Sequence, residues 1–164
     1  MTLKAYSKYK YSGMDWLGEV PEHWGLSRLK SVLQIKKKIV GANSKEYKLL
    51  SLTLQGVIPR DLDDPKGKFP AEFNTYQIVS EKDLIFCLFD VEETPRTVGF
   101  SYYRGMITGA YTVAEVKEEK NNSKYYYYYY YSRDQYKALK MFYTGLRNVI
   151  RKQNFLDIPC PVPP

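Results

Sequence analysis

The 164-residue sequence predicts a mixed α+β fold, with short β-strands in the middle of the chain and a helix towards each end. Three observations support this prediction. Apolar and polar residues alternate in several central segments, apolar residues recur at helical spacing on both sides of them, and proline alternates with apolar residues in the tail. The length and the 44% hydrophobic content suit a single domain with one core.

The N-terminal part is predicted to be a polar, extended arm followed by a helix. Residues 1–23 contain glycine and proline and form the arm. Residues 24–34 follow as an amphipathic helix. Its apolar residues lie at helical spacing: Leu26, Leu29, Val32 and Leu33. The triplet Lys36–Lys38 closes this helix, where cations meet the negative end of the helix dipole, and by itself it indicates no site.

The central part is predicted to hold four strands. Residues 47–54 alternate in polarity and form a half-buried strand that ends at the turn Gln55–Gly56. Residues 84–89 are apolar on both faces, which is typical of a strand inside a sheet. Two more strands are predicted over residues 97–103 and 110–116, and residues 104–109 connect them. The second of these strands has one face towards the core.

The C-terminal part begins with seven consecutive tyrosines, Tyr125–Tyr131. We expect one long helix over Ser123–Tyr143, with Gly145 placed to end it. Seven successive side chains on a helix point in all directions, so only two or three can face one ligand. Core packing is therefore favoured over a base-stacking ladder. The tail Ile158–Pro164 is expected to be an extended edge strand or a polyproline segment.

Positive charge is concentrated in two segments. The chain has 25 Lys and Arg against 18 Asp and Glu, a net charge of +7. Residues 1–41 carry eight bases and three acids, and residues 133–153 carry six bases and one acid. If the fold brings both segments to one face, a polyanion is the natural partner; a solvated basic surface is the alternative. The 17 tyrosines suit a polar recognition surface.

Several function classes find no support in the sequence. No apolar run approaches the length of a membrane span and no secretory signal is present, so we expect a cytoplasmic protein. The single histidine, His23, excludes a histidine-rich zinc site, and no phosphate-binding loop or HExxH motif occurs. Cys87 and Cys160 lie among apolar residues and are expected to be buried free thiols. We therefore expect no catalysis by the chain alone and no cofactor of its own.

Taken together, these segments resemble a target recognition domain of the DNA specificity subunit of type I restriction–modification systems. The resemblance covers almost the whole chain. Five pieces carry it: the arm with Trp24 before an amphipathic helix, Leu50–Leu52, Gly105–Tyr111, Gly145–Arg147 and the proline-alternating tail. The tail after a Gly-Leu-Arg segment is the most specific of them.

The resemblance implies an α+β target recognition domain with a mixed, strongly twisted β-sheet. Such subunits usually carry two of these domains, joined by long coiled-coil helices, and each domain reads one half of a split double-stranded DNA site. Methyltransferase subunits, which bind S-adenosylmethionine, and ATP-dependent restriction subunits supply the chemistry. Here residues 1–164 are expected to be one recognition domain with its arm, without the spacer helix or a second domain.

A DNA-recognition domain needs cations for phosphates and forked side chains for base edges. Residues near the basic segments and the strand ends supply them, and we assign to DNA binding Gln55, Arg60, Arg96, Tyr103, Arg104, Thr108, Arg147, Arg151, Lys152 and Gln153. Among these, Arg147 is the first choice for a base or phosphate contact.

Three other functions remain open from the residues. Asp90, Glu115 and Lys117 resemble a nuclease pattern in which separated acids hold a divalent metal and a lysine positions water. The tyrosines suit a module that stacks the bases of a single strand. The basic ends suit an acidic protein partner, which predicts no salt-dependent DNA binding.

Overall fold

A computed structural model describes residues 4–64, 69–119 and 121–164 of the chain. Short antiparallel strands make up most of its regular secondary structure, and the helices are few. The strands in these ranges are β1 (Tyr9–Tyr11), β2 (Glu19–Pro21), β3 (Gly25–Arg28), β4 (Leu33–Lys36), β5 (Leu50–Thr53), β6 (Gly56–Pro59), β7 (Gln77–Val79), β8 (Leu84–Phe86), β9 (Val98–Phe100), β10 (Gly105–Ile107), β11 (Thr112–Val116) and β12 (Pro159–Val162). The α-helices are α1 (Ser123–Asp134) and α2 (Lys152–Leu156), and 3-10 helices span Leu29–Ser31, Gly41–Glu46 and Ala138–Phe142. The mixed α+β prediction is confirmed, whereas the strong twist stays a prediction.

The largest sheet has four antiparallel strands in the order β4-β11-β8-β9. Ile85 of β8 lies opposite Val113 of β11 on one side and opposite Gly99 of β9 on the other. All three residues of β8 have no solvent exposure. The prediction that this apolar run lies inside a sheet is therefore confirmed.

The helices cover one face of this sheet. At its centre the ring of Phe86 meets Tyr130 of α1 edge-on, with centroids 5.3 Å apart, and Phe155 of α2 at 4.7 Å. Of the seven consecutive tyrosines only Tyr126 and Tyr130 are buried, each 1% exposed. Their spacing of four residues places both on the same side of α1, so the run serves mainly as core.

The other face is covered by the β5–β6 hairpin and the β7–β10 pair, which bury Ile85 and Val113 in a second apolar cluster. Close approach depends on a glycine here. A Cβ at Gly99 would lie 2.5 Å from Cδ1 of Leu52 and 2.7 Å from Cγ2 of Val57. The sheet therefore has packed layers on both faces, and the expected exposed face of β11 does not exist: Thr112 and Ala114 are buried together with Val113.

The predicted N-terminal helix over residues 24–34 is wrong. These residues form β3, a 3-10 turn and the start of β4. Leu29 and Leu33 are fully buried, whereas Leu26, which a helix would place on the same face, is 39% exposed in β3. An isolated helix of this length is marginal, whereas β3 and β4 gain backbone hydrogen bonds to β12 and β11. Consequently Lys36–Lys38 lies at the end of a strand, not of a helix.

The N-terminal arm is also more ordered than expected. It contains the β1–β2 hairpin, in which Leu17 and Val20 are buried. The guanidinium of Arg133 in α1 donates to the carbonyl oxygens of Trp16 and Leu17 at 3.4 Å each. Trp16 also meets the ring of Phe142 edge-on at 5.3 Å. The hairpin is therefore packed against the helical side of the domain.

The long C-terminal helix begins where predicted but ends early. Asn122 caps it, because its Oδ1 accepts from the amides of Lys124 and Tyr125 at 2.9 and 3.3 Å. The α-helix ends at Asp134, and Lys137 adopts a left-handed φ of 50°. Farther along the predicted helix, Ala138–Phe142 form a 3-10 helix instead of continuing α1.

The tail is an extended edge strand, as one of the two alternatives predicted. β12 pairs with β3, with Cys160 opposite Ser27 and Pro161 opposite Leu26. The expected connection between the last two central strands instead contains β10, which is buried and pairs with β7. Three residues are too few to show alternation, so the sequence did not reveal it. Cys87 and Cys160 are buried free thiols, as predicted.

No helix within the described residues is both long enough and apolar enough to span a membrane.

Candidate nucleic-acid interface

A depression of about 510 Å³ lies between α2 and the edge strand β4, and we call it the basic groove. It is lined by Lys30, Leu33, Gln34, Ile35, Lys37, Lys117, Lys152, Gln153, Leu156 and Asp157. The amide of Lys117 donates to the carbonyl oxygen of Val32 at 2.9 Å, which holds the end of β11 beside the start of β4. Segments far apart in the chain thus contribute lysines to one concave surface.

Positive charge dominates the basic groove. Its single carboxylate, Asp157, accepts from Nζ of Lys30 at 2.8 Å and from Nη1 of Arg28 at 3.3 Å. These hydrogen bonds, that from Lys30 above all, lower the pKa of Asp157 below its usual value. Within the described ranges no carboxylate lies at salt-bridge distance from Lys37, Lys117 or Lys152. Three lysines therefore present unpaired charge to a ligand.

A second depression, of about 400 Å³, lies in the segment that leads into α2. It is lined by Arg151 and by five residues of the segment Thr144–Val149, which we call the Arg147 loop. Both Arg147 and Arg151 are exposed. Because Arg151 immediately precedes Lys152 of the basic groove, the two depressions are neighbours along the chain. Together they gather six cations and one carboxylate among their lining residues.

The sheet explains why the Arg147 loop sits where it does. Phe89, just beyond the end of β8, pairs with Val149 in an isolated antiparallel bridge. The ring of Phe89 also stacks on Tyr111 at 6.2 Å, just before β11 begins. Nε2 of Gln77 donates to the carbonyl oxygens of Thr108 and Tyr111 at 3.1 and 2.7 Å, which fixes that turn. The predicted residues Thr108 and Arg147 thus belong to the same end of the sheet.

Four other predicted residues lie away from both depressions, around the small sheets. The guanidinium of Arg60 lies 4.8 Å from the ring centroid of Phe69, and that of Arg104 lies 5.6 Å from the ring of Tyr47. Tyr103 is exposed beside Arg104. Gln55 lies in the β5–β6 turn, in a depression beyond the opposite edge strand, β9, with Phe100, Tyr102 and three tyrosines of α1.

The side chain of Arg96 contacts other residues of the same fold. Its Nη2 donates to the Tyr131 hydroxyl at 3.3 Å, its guanidinium stacks over that ring at 4.8 Å, and its Nη1 lies 4.0 Å from the buried carboxylate of Asp134. Asp134 also accepts from the amide of Thr97 at 3.1 Å and from Nζ of Lys137 at 2.9 Å. This cluster joins α1 to β9, so it gives Arg96 a role in holding the fold.

Comparison with known proteins supports the assignment of the fold. No family model and no curated protein matches the chain. Several solved structures do match, among them the following two. One, described as the structural basis underlying complex assembly and conformational transition of the type I R-M system, aligns with a TM-score of 0.61 and 14% identity, and covers 88% of this chain. The other, the HsdS subunit from Thermoanaerobacter tengcongensis, aligns with a TM-score of 0.51 and 14% identity over 95% of this chain.

The fold is that of part of an HsdS subunit. The resemblance noted in the sequence is thereby confirmed at the level of fold. The chain spans 39% and 36% of the length of the two structures that it matches.

Within this HsdS fold the basic groove contains residues that the sequence did not assign to nucleic-acid binding. Lys30 and Lys37 were assigned to no site, and Lys37 was expected to close a helix. Lys117 was named only in the alternative nuclease pattern. The signal available was the excess of bases in residues 1–41. The excess of bases did not indicate a site, because residues 24–34 were predicted to form a helix instead of β3, a 3-10 turn and the start of β4.

The nuclease alternative is not supported by this HsdS-like domain. The carboxylate of Glu115 accepts from the side chain of Gln34 and lies 3.7 Å from Nζ of Lys36. Lys36 in turn donates to the buried carboxylate of Asp83 at 2.8 Å. Across the part of the chain that the structure describes, no group of three His, Cys, Asp or Glu side chains is placed to hold a metal ion.

A stacking ladder for a single strand is not supported either. Along the tyrosine run Tyr128 is 61% exposed, but its neighbours in the run are half-buried or buried. One exposed ring in seven cannot stack successive bases, because such binding needs several accessible aromatic faces along a groove.

Proposed function

We propose that this chain is a sequence-specific double-stranded DNA-binding domain and acts as the specificity component of a type I restriction–modification complex. Residues 1–164 would form one target recognition domain that reads one half of a bipartite site. The observation that carries the proposal is the basic groove, a concave, cation-lined surface on a domain with the HsdS fold. The chain itself catalyses nothing in this proposal.

The basic groove suits a phosphate backbone. Lys37, Lys117 and Lys152 have no carboxylate partner in the described parts of the chain, so phosphates can replace their solvent counterions. Each phosphate neutralised in this way releases condensed counterions from the duplex, which makes binding favourable and salt-dependent. These contacts position the domain and carry no sequence information of their own.

Base reading is assigned to the neighbouring forked side chains. Arg147 and Arg151 are exposed in the second depression, which adjoins the basic groove along the chain at Arg151–Lys152, and Gln153 lies within the groove. A guanidinium can bond both O6 and N7 of guanine, and a glutamine amide can bond N6 and N7 of adenine, in the major groove. We give Gln55, Arg60, Tyr103 and Arg104 a secondary place, because they lie outside both depressions.

The partners proposed are the methyltransferase and restriction subunits of the same system. Support comes from the fold match to a structure that concerns complex assembly of a type I R-M system. In such a complex this domain would direct methylation or cleavage by choosing the DNA site, and the partner subunits would supply the reactive groups.

The test is selection of this chain against a random duplex library at two salt concentrations. We expect enrichment of a motif of a few base pairs and an affinity that falls steeply as salt rises. Enrichment without salt dependence, or binding without enrichment, contradicts the proposal. Absence of binding at low salt contradicts it as well and points to an acidic protein partner.

Single variants separate the two kinds of contact. Lys117→Ala and Lys152→Ala should each lower the slope of log affinity against log salt by about 1, on every sequence. Arg147→Ala should cost about 1–3 kcal/mol of discrimination at one base pair. Lys45→Ala, an exposed lysine on the 3-10 helix Gly41–Glu46, is the matched control and should change neither quantity. Equal weakening on all sequences would make Arg147 a phosphate contact.

A further inference from the structure

The tip of the Arg147 loop carries a leucine that its own fold leaves uncovered. Leu146 is 108% exposed, the highest exposure of the large apolar side chains in the described residues. It follows Gly145, whose φ of 75° allows the tight reversal at this point. A single exposed leucine is common on a protein surface. What distinguishes Leu146 is the way in which its loop is held.

The Arg147 loop is anchored by backbone hydrogen bonds at both sides. The amide of Thr144 donates to the carbonyl oxygen of Val149 at 3.0 Å and closes the loop on itself. The amide of Asp90 donates to the carbonyl oxygen of Asn148 at 2.8 Å, which ties the loop to the segment after β8. The fold thus fixes the backbone of this loop and still presents the leucine side chain to solvent.

The charges beside Leu146 indicate what could cover it. Arg147 and Arg151 line the same depression as Leu146. A protein partner would have to supply both an apolar pocket for Leu146 and acidic residues for these two guanidinium groups. A nucleic-acid duplex provides both requirements at once, because phosphates pair with the arginines while an apolar side chain can enter between stacked bases.

We propose that Leu146 is a wedge that inserts between two adjacent base pairs of the bound duplex and partly unstacks them. This inference rests on the proposed DNA-binding function and adds a mode of sequence selection to it. Pyrimidine–purine steps unstack and kink most easily. Leu146 therefore selects such a step without any hydrogen bond to a base, while Arg147 and Arg151 hold the adjacent phosphates or base edges.

The experiment uses the duplex most enriched in the library selection, with fluorescent base analogues placed one at a time. 2-Aminopurine replaces adenine and 6-methylisoxanthopterin replaces guanine, so every base pair can be probed on one strand or the other. Both analogues brighten when they lose stacking. We expect a fluorescence increase confined to one step on binding of the unaltered chain, and loss of that increase with Leu146→Ser.

Leu146→Ser should also weaken binding to the enriched duplex roughly tenfold, and more than it weakens binding to a duplex whose pyrimidine–purine step has been changed. Leu54→Ser is the matched control. Leu54 is a 65% exposed leucine in the β5–β6 turn, beyond the edge of the sheet opposite the basic groove, and its replacement should change neither affinity nor fluorescence.

The outcomes distinguish the inference from the proposed function. Binding and enrichment by the unaltered chain, with no fluorescence change at any step and unchanged affinity of Leu146→Ser, overturns the wedge and leaves DNA recognition intact. A uniform loss of affinity in Leu146→Ser without a localised fluorescence change also overturns it. Failure of the unaltered chain to bind any duplex overturns both.

Discussion

The seven consecutive tyrosines provide a direct test of the packing, because identical side chains on one helix lie in different environments. Tyr130 is 1% exposed and its ring contacts Phe86 and Phe155, with centroids 5.3 and 5.8 Å away. Truncating a buried aromatic residue to alanine costs about 3–5 kcal/mol, from lost transfer energy and the cavity left behind. Tyr130→Ala should therefore lower the free energy of unfolding by this amount, and Tyr126→Ala by nearly as much.

Tyr128 is the internal control. It is 61% exposed, so its truncation removes little buried surface, and alanine is the better helix former by a few tenths of a kcal/mol. Tyr128→Ala should change the free energy of unfolding by less than about 0.5 kcal/mol. The buried hydroxyls of Tyr126 and Tyr130 have no hydrogen-bond partner among the described residues. Tyr130→Phe should therefore be neutral or stabilising by up to about 1 kcal/mol, since it removes an unpaired buried hydroxyl.

The assay is chemical denaturation of each variant, followed by tryptophan fluorescence and far-ultraviolet circular dichroism. If Tyr130→Ala does not fold, Tyr130→Leu takes its place in the comparison with Tyr128→Leu. Equal losses at Tyr128 and Tyr130 would refute the assignment of the inner face of α1. A loss above about 1 kcal/mol in Tyr130→Phe would show that the hydroxyl has a stabilising partner.

Three further predictions concern close packing, a buried charge and pH. Gly105→Ala would place a Cβ 2.5 Å from a neighbouring backbone carbonyl oxygen and should lower the free energy of unfolding by about 1–3 kcal/mol. Gly25→Ala, where a Cβ would meet only ordinary contacts, should cost less than half as much. Similar losses in the two variants would refute the close approach at Gly105. Asp134→Asn leaves Arg96 and Lys137 without their buried carboxylate partner and should lower the free energy of unfolding by about 3–5 kcal/mol, measured by thermal or chemical denaturation. A loss below about 1 kcal/mol would contradict the role given to this cluster. Burial raises the pKa of both Cys160 and Tyr129 to about 12. At high pH the folded chain therefore keeps protons that the unfolded chain releases. The free energy of unfolding, at its full value below pH 8, should consequently fall as pH rises, by roughly 1 kcal/mol for each pH unit per buried group. Cys160→Ala should flatten the part of this fall that begins near pH 9, and an unchanged profile would refute the contribution of that thiol.

Part of the fold follows from local sequence. The run that contains β8 is apolar at every position, which is typical of a strand covered on both faces, and the structure places it inside the sheet. The start of α1 follows from a polar capping segment before a helix-compatible run. In the tail, Pro159 and Pro161 lack amide donors, so the segment can pair only as an edge strand, and β12 does so.

The N-terminal region shows where local information fails. The spacing of Leu26, Leu29 and Leu33 fits one face of a helix, yet it fits a strand, a turn and a second strand equally well. The choice is made by hydrogen-bond partners that lie far away in the chain, β12 for β3 and β11 for β4. No window of sequence around residues 24–34 contains those partners.

The candidate site likewise combines residues that the sequence indicates with residues that only folding brings together. The sequence alone shows that positive charge is concentrated in two segments and that Arg147, Arg151, Lys152 and Gln153 belong to one of them. Only the tertiary structure brings Lys30, Lys37 and Lys117 to the same groove.

The tyrosine run makes the same distinction most clearly. Composition and helix propensity are identical at all seven positions, so the sequence determines that a helix here must bury some of the rings and expose others. It carries no periodic signal to say which. Tyr126 and Tyr130 face the core because α1 docks on the sheet with Phe86 and Phe155 beneath it. The rotation of a uniform helix about its own axis is decided by the surface against which it packs.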